Sequence, residues 1–201
     1  YCDRALGITS AEEQPVLPKG NNLSLHLLEL FTSQVAKVGM TDGIRQVLQE
    51  ESDALRAYYE QAGILIARPA GGTSCRLAIS AKGGTNAENH NHNDVGSYAV
   101  ALGSETMVGD QGGPNSYPGD YFNGDAPQKY KIKGSFGHPV PVVDGRTQSS
   151  GGKAKGVVLQ KEFTNEKDVF SIDYTSAYST PNLDKLIRTF VYDRQGEGNF
   201  T

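Results

Sequence analysis

The chain has 201 residues, 37% of them hydrophobic and 21% charged, with 24 glycines and a formal net charge of −4. That is enough apolar material for one large or two small domains with a core of their own, and too much for a disordered tail. The acidic balance and the lack of a basic run exclude tracking of a phosphate backbone, so nucleic acid is not an expected partner. Apolar stretches such as GILIA and YAVAL are too short to span a bilayer.

The chain opens YCDRALG without an initiator methionine and stops at GEGNFT just after a strand-like run, so a piece of a longer protein is expected. Residues 1 to 22 run from a short helix-like remnant into EEQPVLPKGNN, a linker by its prolines and polar residues. Leu27, Leu28, Phe31, Val35 and Val38 recur at helical spacing, with Ser24 as N-cap and Gly39 at the end. Thr41 caps a second predicted helix through Ile44, Val47 and Leu48, and Ser52 a third through DALRAYYEQ, ended by Gly63. Residues 1–62 therefore read as a helical segment.

From residue 63 the hydrophobic period changes to two. GILIARP, CRLAISAKGG, VGSYAVALG, SETMVGD, PVPVVDG, GVVLQKEF, VFSIDYTSAY and LIRTFVYDR all resemble strands separated by Gly, Asn, Asp or Ser clusters. Such a series predicts a mainly β domain over 63–201, an antiparallel sandwich or barrel rather than a parallel sheet. The connection from Gly109 to Ser135 is long and rich in Gly, Pro, Asn and Tyr, which is typical of functional loops. Cys2 and Cys75 read as two buried thiols or one disulfide.

The chemistry concentrates in NHNHNDVGSY, residues 89–98, which holds two of the four histidines, His90 and His92, together with Asp94. In an extended strand residues i and i+2 face the same way, so His-x-His can present two imidazoles to one ion. Asp110, at the end of SETMVGD, and His138, in SFGHPVP, are the partners a hairpin and a third segment would bring to His92. Two neutral imidazoles and one carboxylate form a zinc-type donor set with a fourth position left open. Taken singly, Asp110 and His138 also read as turn residues before Gly112 and Pro139. Asp94 is expected to cap a turn or to orient an imidazole. His26, in the first helix, is assigned no function. Tyr117, Tyr121 and Tyr130 lie in the long loop, as surface packing or as proton-transfer groups.

The succession of GILIARP, NHNHNDVGSYAVALGSETMVGDQGG, a tyrosine-rich loop and SFGHPVPVVDGRTQ resembles the C-terminal sandwich region of the heparinase II/III-like polysaccharide lyases, over roughly residues 55 to 195. The resemblance implies an antiparallel β-sandwich of the supersandwich type following an (α/α) toroid, of which residues 1–62 would be the last helices. It also implies β-elimination on acidic polysaccharides containing uronic acid, in the periplasm or outside the cell. It further implies a zinc ion on His92, Asp110 and His138, with His90 facing the substrate. The metal's position favours a structural role over acidifying a water, and the chemistry of a uronate carboxylate makes Asn89 a candidate beside His90. A tyrosine is the expected proton-transfer group, with Tyr117, Tyr121 and Tyr130 as this chain's candidates. A catalytic tyrosine and another histidine would lie on the toroid, the partner domain. If so, the backbone between His90 and His92 must twist or bulge. The rival readings are a non-catalytic carbohydrate-binding or scaffold sandwich with a structural metal, and a cupin-type oxygenase, for which Glu105 stands too far from the His-x-His pair.

Overall fold

A computed structural model describes residues 54–110, 113–114 and 116–201. The first two predicted helices, His26 and Cys2 lie outside these residues. The strands are β1 (Arg56–Tyr59), β2 (Ile64–Ala67), β3 (Leu77–Lys82), β4 (Thr85–Asn86), β5 (Tyr98–Leu102), β6 (Glu105–Val108), β7 (Gly151–Lys155), β8 (Val157–Phe163), β9 (Lys167–Asp173), β10 (Ile187–Asp193) and β11 (Asn199–Phe200). Among the described residues a single turn of helix, α1 (Ala126–Lys129), and short 3-10 turns at 131–133, 135–137 and 175–177 complete the elements.

All pairings among the described residues are antiparallel. A five-stranded sheet runs β1-β2-β3-β5-β6, a four-stranded sheet runs β11-β10-β9-β8, and β4 pairs with β7 in a small third sheet. The fold is an antiparallel β-sandwich, as the period-two pattern predicts. Alternation supplies the core: Leu65, Ala67, Ile79 and Ala81 from the first sheet meet Phe170, Ile172, Phe190 and Tyr192 from the second. The Phe170 and Phe190 rings stack at 6.3 Å, and Tyr58 of β1 crosses the interface to lie 5.8 Å from Phe170. At one end, buried Asp168 accepts from Arg56 at 2.8 Å and also pairs with Arg194, joining β1 to the β9–β10 hairpin.

The structure departs from the sequence reading at two places. Residues 56–59, expected in the third helix, form a strand whose register with β2 runs from Arg56↔Ala67 to Tyr59↔Ile64. The helical expectation for residues 1–62 therefore fails at its C-terminal end. RAYY is short enough to satisfy either period, and the core contacts of Tyr58 outweigh local propensity. Gly63 closes the hairpin at φ +60°, where a Cβ would sit 2.8 Å from the Gly84 nitrogen. The second departure is PVPVVDG, which contributes only an isolated bridge, Val143↔Arg146. Pro139 and Pro141 have no N–H to donate to a ladder. The strand there is instead β7, whose GGKAK sequence carries no period-two signal.

Candidate functional site

The segment 87–97 hangs between β4 and β5 and contains no strand. Buried polar side chains hold it in place. Asn86 Nδ2 donates to Gln148 Oε1 at 3.0 Å and to the Ser149 carbonyl at 2.8 Å, and Asn86 Oδ1 accepts from the Asp94 amide at 3.2 Å. Asn93 Nδ2 donates to the Gln148 carbonyl and to Ser150 Oγ, both at 3.0 Å. Gln148 clasps Val95 on both sides: its Oε1 accepts from the Val95 amide at 3.0 Å, and its Nε2 donates to the Val95 carbonyl at 2.7 Å. A loop at the edge of a sandwich is thus given the hydrogen bonding that a strand would find in its ladder.

Within this segment His90 adopts φ +59°, the left-handed region, and this one residue breaks the i, i+2 relation to His92. The His90 ring stacks on Phe122 at 4.4 Å, while His92 turns the other way. His92 Nδ1 lies 3.1 Å from His138 Nε2, and Asp110 Oδ2 lies 3.0 Å from His138 Nδ1. Ligand atoms of His92, Asp110 and His138 all fall within 4.8 Å of one another, and His90 stands outside the group. Asp110 follows the end of β6, and His138 follows the 3-10 turn at 135–137, so the group draws on three separate segments.

The donor set fits a divalent cation of the zinc type. The 3.1 and 3.0 Å contacts fall on opposite nitrogens of the His138 ring, of which one ion can take only one. With one ligand atom from each residue the three lie within 4.8 Å of one another, and tetrahedral zinc, with nitrogen ligands at about 2.0–2.1 Å, would draw them to slightly more than 3 Å. The buried His138 Nδ1 makes no hydrogen bond, although the carboxylate stands beside it. Burial, followed by the neighbouring His138, lowers the His92 pKa below its ordinary value, against the opposing pull of Asp110. Its imidazole is therefore held in the neutral, ligating form.

Beside this group lies an aromatic cluster around a buried lysine. Lys133 is only 4% exposed; its Nζ donates to the Tyr121 carbonyl at 2.8 Å and lies 4.7 Å from the Tyr121 ring centre and 5.2 Å from that of Phe122. Burial holds its pKa below the usual lysine range. The three candidate tyrosines have different environments. Tyr121 is 1% exposed with an unpartnered hydroxyl, and burial pushes its pKa up. Tyr130 donates its hydroxyl to Asp120, whose hydrogen bond raises the tyrosine pKa. Tyr117 is 57% exposed and leans on Tyr121 and Phe122 at 5.0 and 5.2 Å. Asn89 is exposed beside His90.

Asp94 neither caps a turn with its side chain nor orients an imidazole: its Oδ1 accepts from Lys82 Nζ at 2.7 Å, and Glu88 completes the pair at 3.3 Å. Cys75 is a buried free thiol, 3.6 Å from the Tyr192 hydroxyl. Lys133, Phe122 and Gln148 were not anticipated from sequence. Nothing in KYKIKG or RTQSSGG distinguishes a buried Lys or Gln from an exposed one.

No protein-family model matches the sequence, and neither does any curated protein. Among solved structures, the heparan sulfate lyase HepC of Pedobacter heparinus matches with a TM-score of 0.56 at 18% identity, over 85% of this chain and 26% of that one. A mutant of the same enzyme matches with a TM-score of 0.57 at 16% identity, over 88% of this chain and 26% of that one. The chain thus spans about a quarter of the length of these structures, and its fold is similar to that part of them.

Proposed function

We propose that this chain forms one wall of the cleft of a lyase that cleaves a uronic-acid-containing polysaccharide, of glycosaminoglycan or alginate type, by β-elimination. The observation that carries the reading is the division of labour in NHNHND: His92 turns to Asp110 and His138, while exposed His90 and Asn89 stay available to a ligand. The opposite wall is the upstream (α/α) toroid of the same protein. A charged polymer does not cross a membrane, so the enzyme works in the periplasm or outside the cell. Among the described residues no helix is long and apolar enough to cross a bilayer.

In this reaction a base removes the C5 proton of the uronate, the C4–O bond breaks, a C4=C5 double bond forms, and the departing O4 is protonated. The C5 proton is a poor acid until the adjacent carboxylate is neutralised. The Asn89 amide and the His90 imidazole donate to that carboxylate and favour the enolate-like intermediate. Of the three loop tyrosines, exposed Tyr117 is the one able to exchange a proton with a sugar, since Tyr121 is buried and Tyr130 is tied to Asp120. His92, Asp110 and His138 would hold a zinc ion, which would fix the loop carrying His90 and supply positive charge near the cleft.

The test is an elimination assay on a panel of polyuronates, read as new absorbance from an unsaturated uronate. A chain extended upstream through the toroid should produce it, and Asn89→Ala or His90→Ala should abolish it with the metal retained. The 201-residue chain alone should show little or none. No absorbance from the extended chain on any glycosaminoglycan or alginate would refute the reading and leave a binding or scaffold sandwich.

A further inference from the structure

The 3-10 turns at 131–133 and 135–137 display one large apolar side chain in a setting otherwise packed tight. Gly134, Ser135, Gly137 and His138 are buried, yet Phe136 between them is 66% exposed. The display is enforced by the backbone. A Cβ on Gly134 would lie 2.5 Å from the Pro127 carbonyl oxygen, and one on Gly137 would lie 2.6 Å from that of Ile132. Ser135 Oγ accepts from the Gln148 amide at 2.9 Å, which pins the turn to the scaffold that holds the histidine loop. Phe136 is therefore presented rigidly, two residues before His138. A phenyl ring held in water loses the stabilisation its burial would give, so a fixed and exposed one points to a ligand.

The second observation concerns charge. The Lys131 ammonium stands 6.0 Å from the centre of the Phe136 ring and is exposed. An apolar flat face beside a cation matches one acidic sugar: the C–H face of a pyranose packs on the ring's negative π-face while a carboxylate on the same sugar meets the ammonium. His90, by contrast, already has an aromatic partner in Phe122.

We propose that Phe136 and Lys131 form a flanking subsite that binds a hexuronate unit of the polysaccharide outside the unit being cleaved. The subsite rests on the function proposed above and adds to it a prediction about chain length. It gives longer oligosaccharides an affinity that a disaccharide cannot obtain.

The experiment titrates the 201-residue chain, loaded with zinc, with hexuronate disaccharide, tetrasaccharide and hexasaccharide, and with the carboxyl-reduced hexasaccharide, by calorimetry or NMR. Phe136→Ala should weaken the hexasaccharide at least fivefold, leave the disaccharide within twofold, and leave metal content unchanged. Phe136→Tyr should retain the wild-type pattern. Lys131→Ala should weaken the acidic hexasaccharide but not the reduced one. Equal weakening of all lengths by Phe136→Ala, or none, overturns the subsite; in the latter case the ring serves a protein contact. Failure of the wild-type chain to bind any acidic oligosaccharide also overturns the subsite, whereas the proposed function stands or falls on the elimination assay of the extended chain.

Discussion

Replacing Gln148 by leucine tests whether the buried amide network, rather than the sandwich core, holds the histidine loop. The side chain is 2% exposed, and leucine fills a comparable volume while removing every hydrogen bond. Asn86 Nδ2 keeps its bond to the Ser149 carbonyl, so its loss is partial. The N–H and C=O of Val95, a residue with 0% exposure, lose their partner entirely. Two orphaned buried backbone groups cost about 1–3 kcal/mol each, and extra apolar burial returns roughly 1 kcal/mol, leaving about 3 kcal/mol of destabilisation. At a urea slope of about 3 kcal/mol per molar, the unfolding midpoint should fall by about 1 M. The same change loosens both ends of the 87–94 loop, so zinc affinity, measured by competition with a chromogenic chelator, should fall about tenfold, equivalent to roughly 1.4 kcal/mol. A midpoint within about 0.2 M of wild type would refute the reasoning, because an unsatisfied buried pair cannot be that inexpensive.

His92→Ala should lose the metal by elemental analysis and lower the melting temperature, whereas His90→Ala should keep the metal; unchanged metal after His92→Ala would sink the ligand assignment. In the metal-free protein the folded-state His92 pKa lies below the 6.5 of the free side chain, so the unfolded chain binds its proton first as pH falls. Its contribution to stability is then complete above pH 6.5 and is lost progressively below it, down to the folded pKa; a denaturation series that His92→Gln leaves equally steep over that range would contradict this. Asp168→Ala should destabilise by about 3–5 kcal/mol in equilibrium unfolding, because it leaves the guanidinium of buried Arg194 without its carboxylate. Gly137→Ala should cost about 1–3 kcal/mol by thermal unfolding, since its Cβ meets the Ile132 backbone and that contact has no flexible end to yield.

Most strands were legible from composition and period, including β6 and β8, which stay largely exposed. In β2 and β9, alternation records burial directly: Leu65 and Ala67 point inward, as do Phe170 and Ile172. RAYY was misread because four residues carry too little periodicity to separate helix from strand, and the choice fell to Tyr58 packing across the sheets. GGKAK was missed because β7 is a pairing partner of β4 and buries only Ala154. The grouping of His92, Asp110 and His138 was legible in part: residue type and spacing offered His90 and His92 together with Asp110 and His138 as partners, and the family resemblance, not spacing, set His90 apart.

Composition and pattern by themselves determined a mainly β chain, antiparallel pairing, and a loop dense in ligating groups. Tertiary structure decided how that loop is divided. His90 and His92 share a face in any straight strand, and only the left-handed backbone at His90, held by Gln148, Asn86 and Asn93, sends them apart. It also decided which loop tyrosine meets solvent, why Lys133 is buried among aromatic rings, and that Phe136 is displayed. These are outcomes of packing between segments distant in sequence, and no local propensity encodes them.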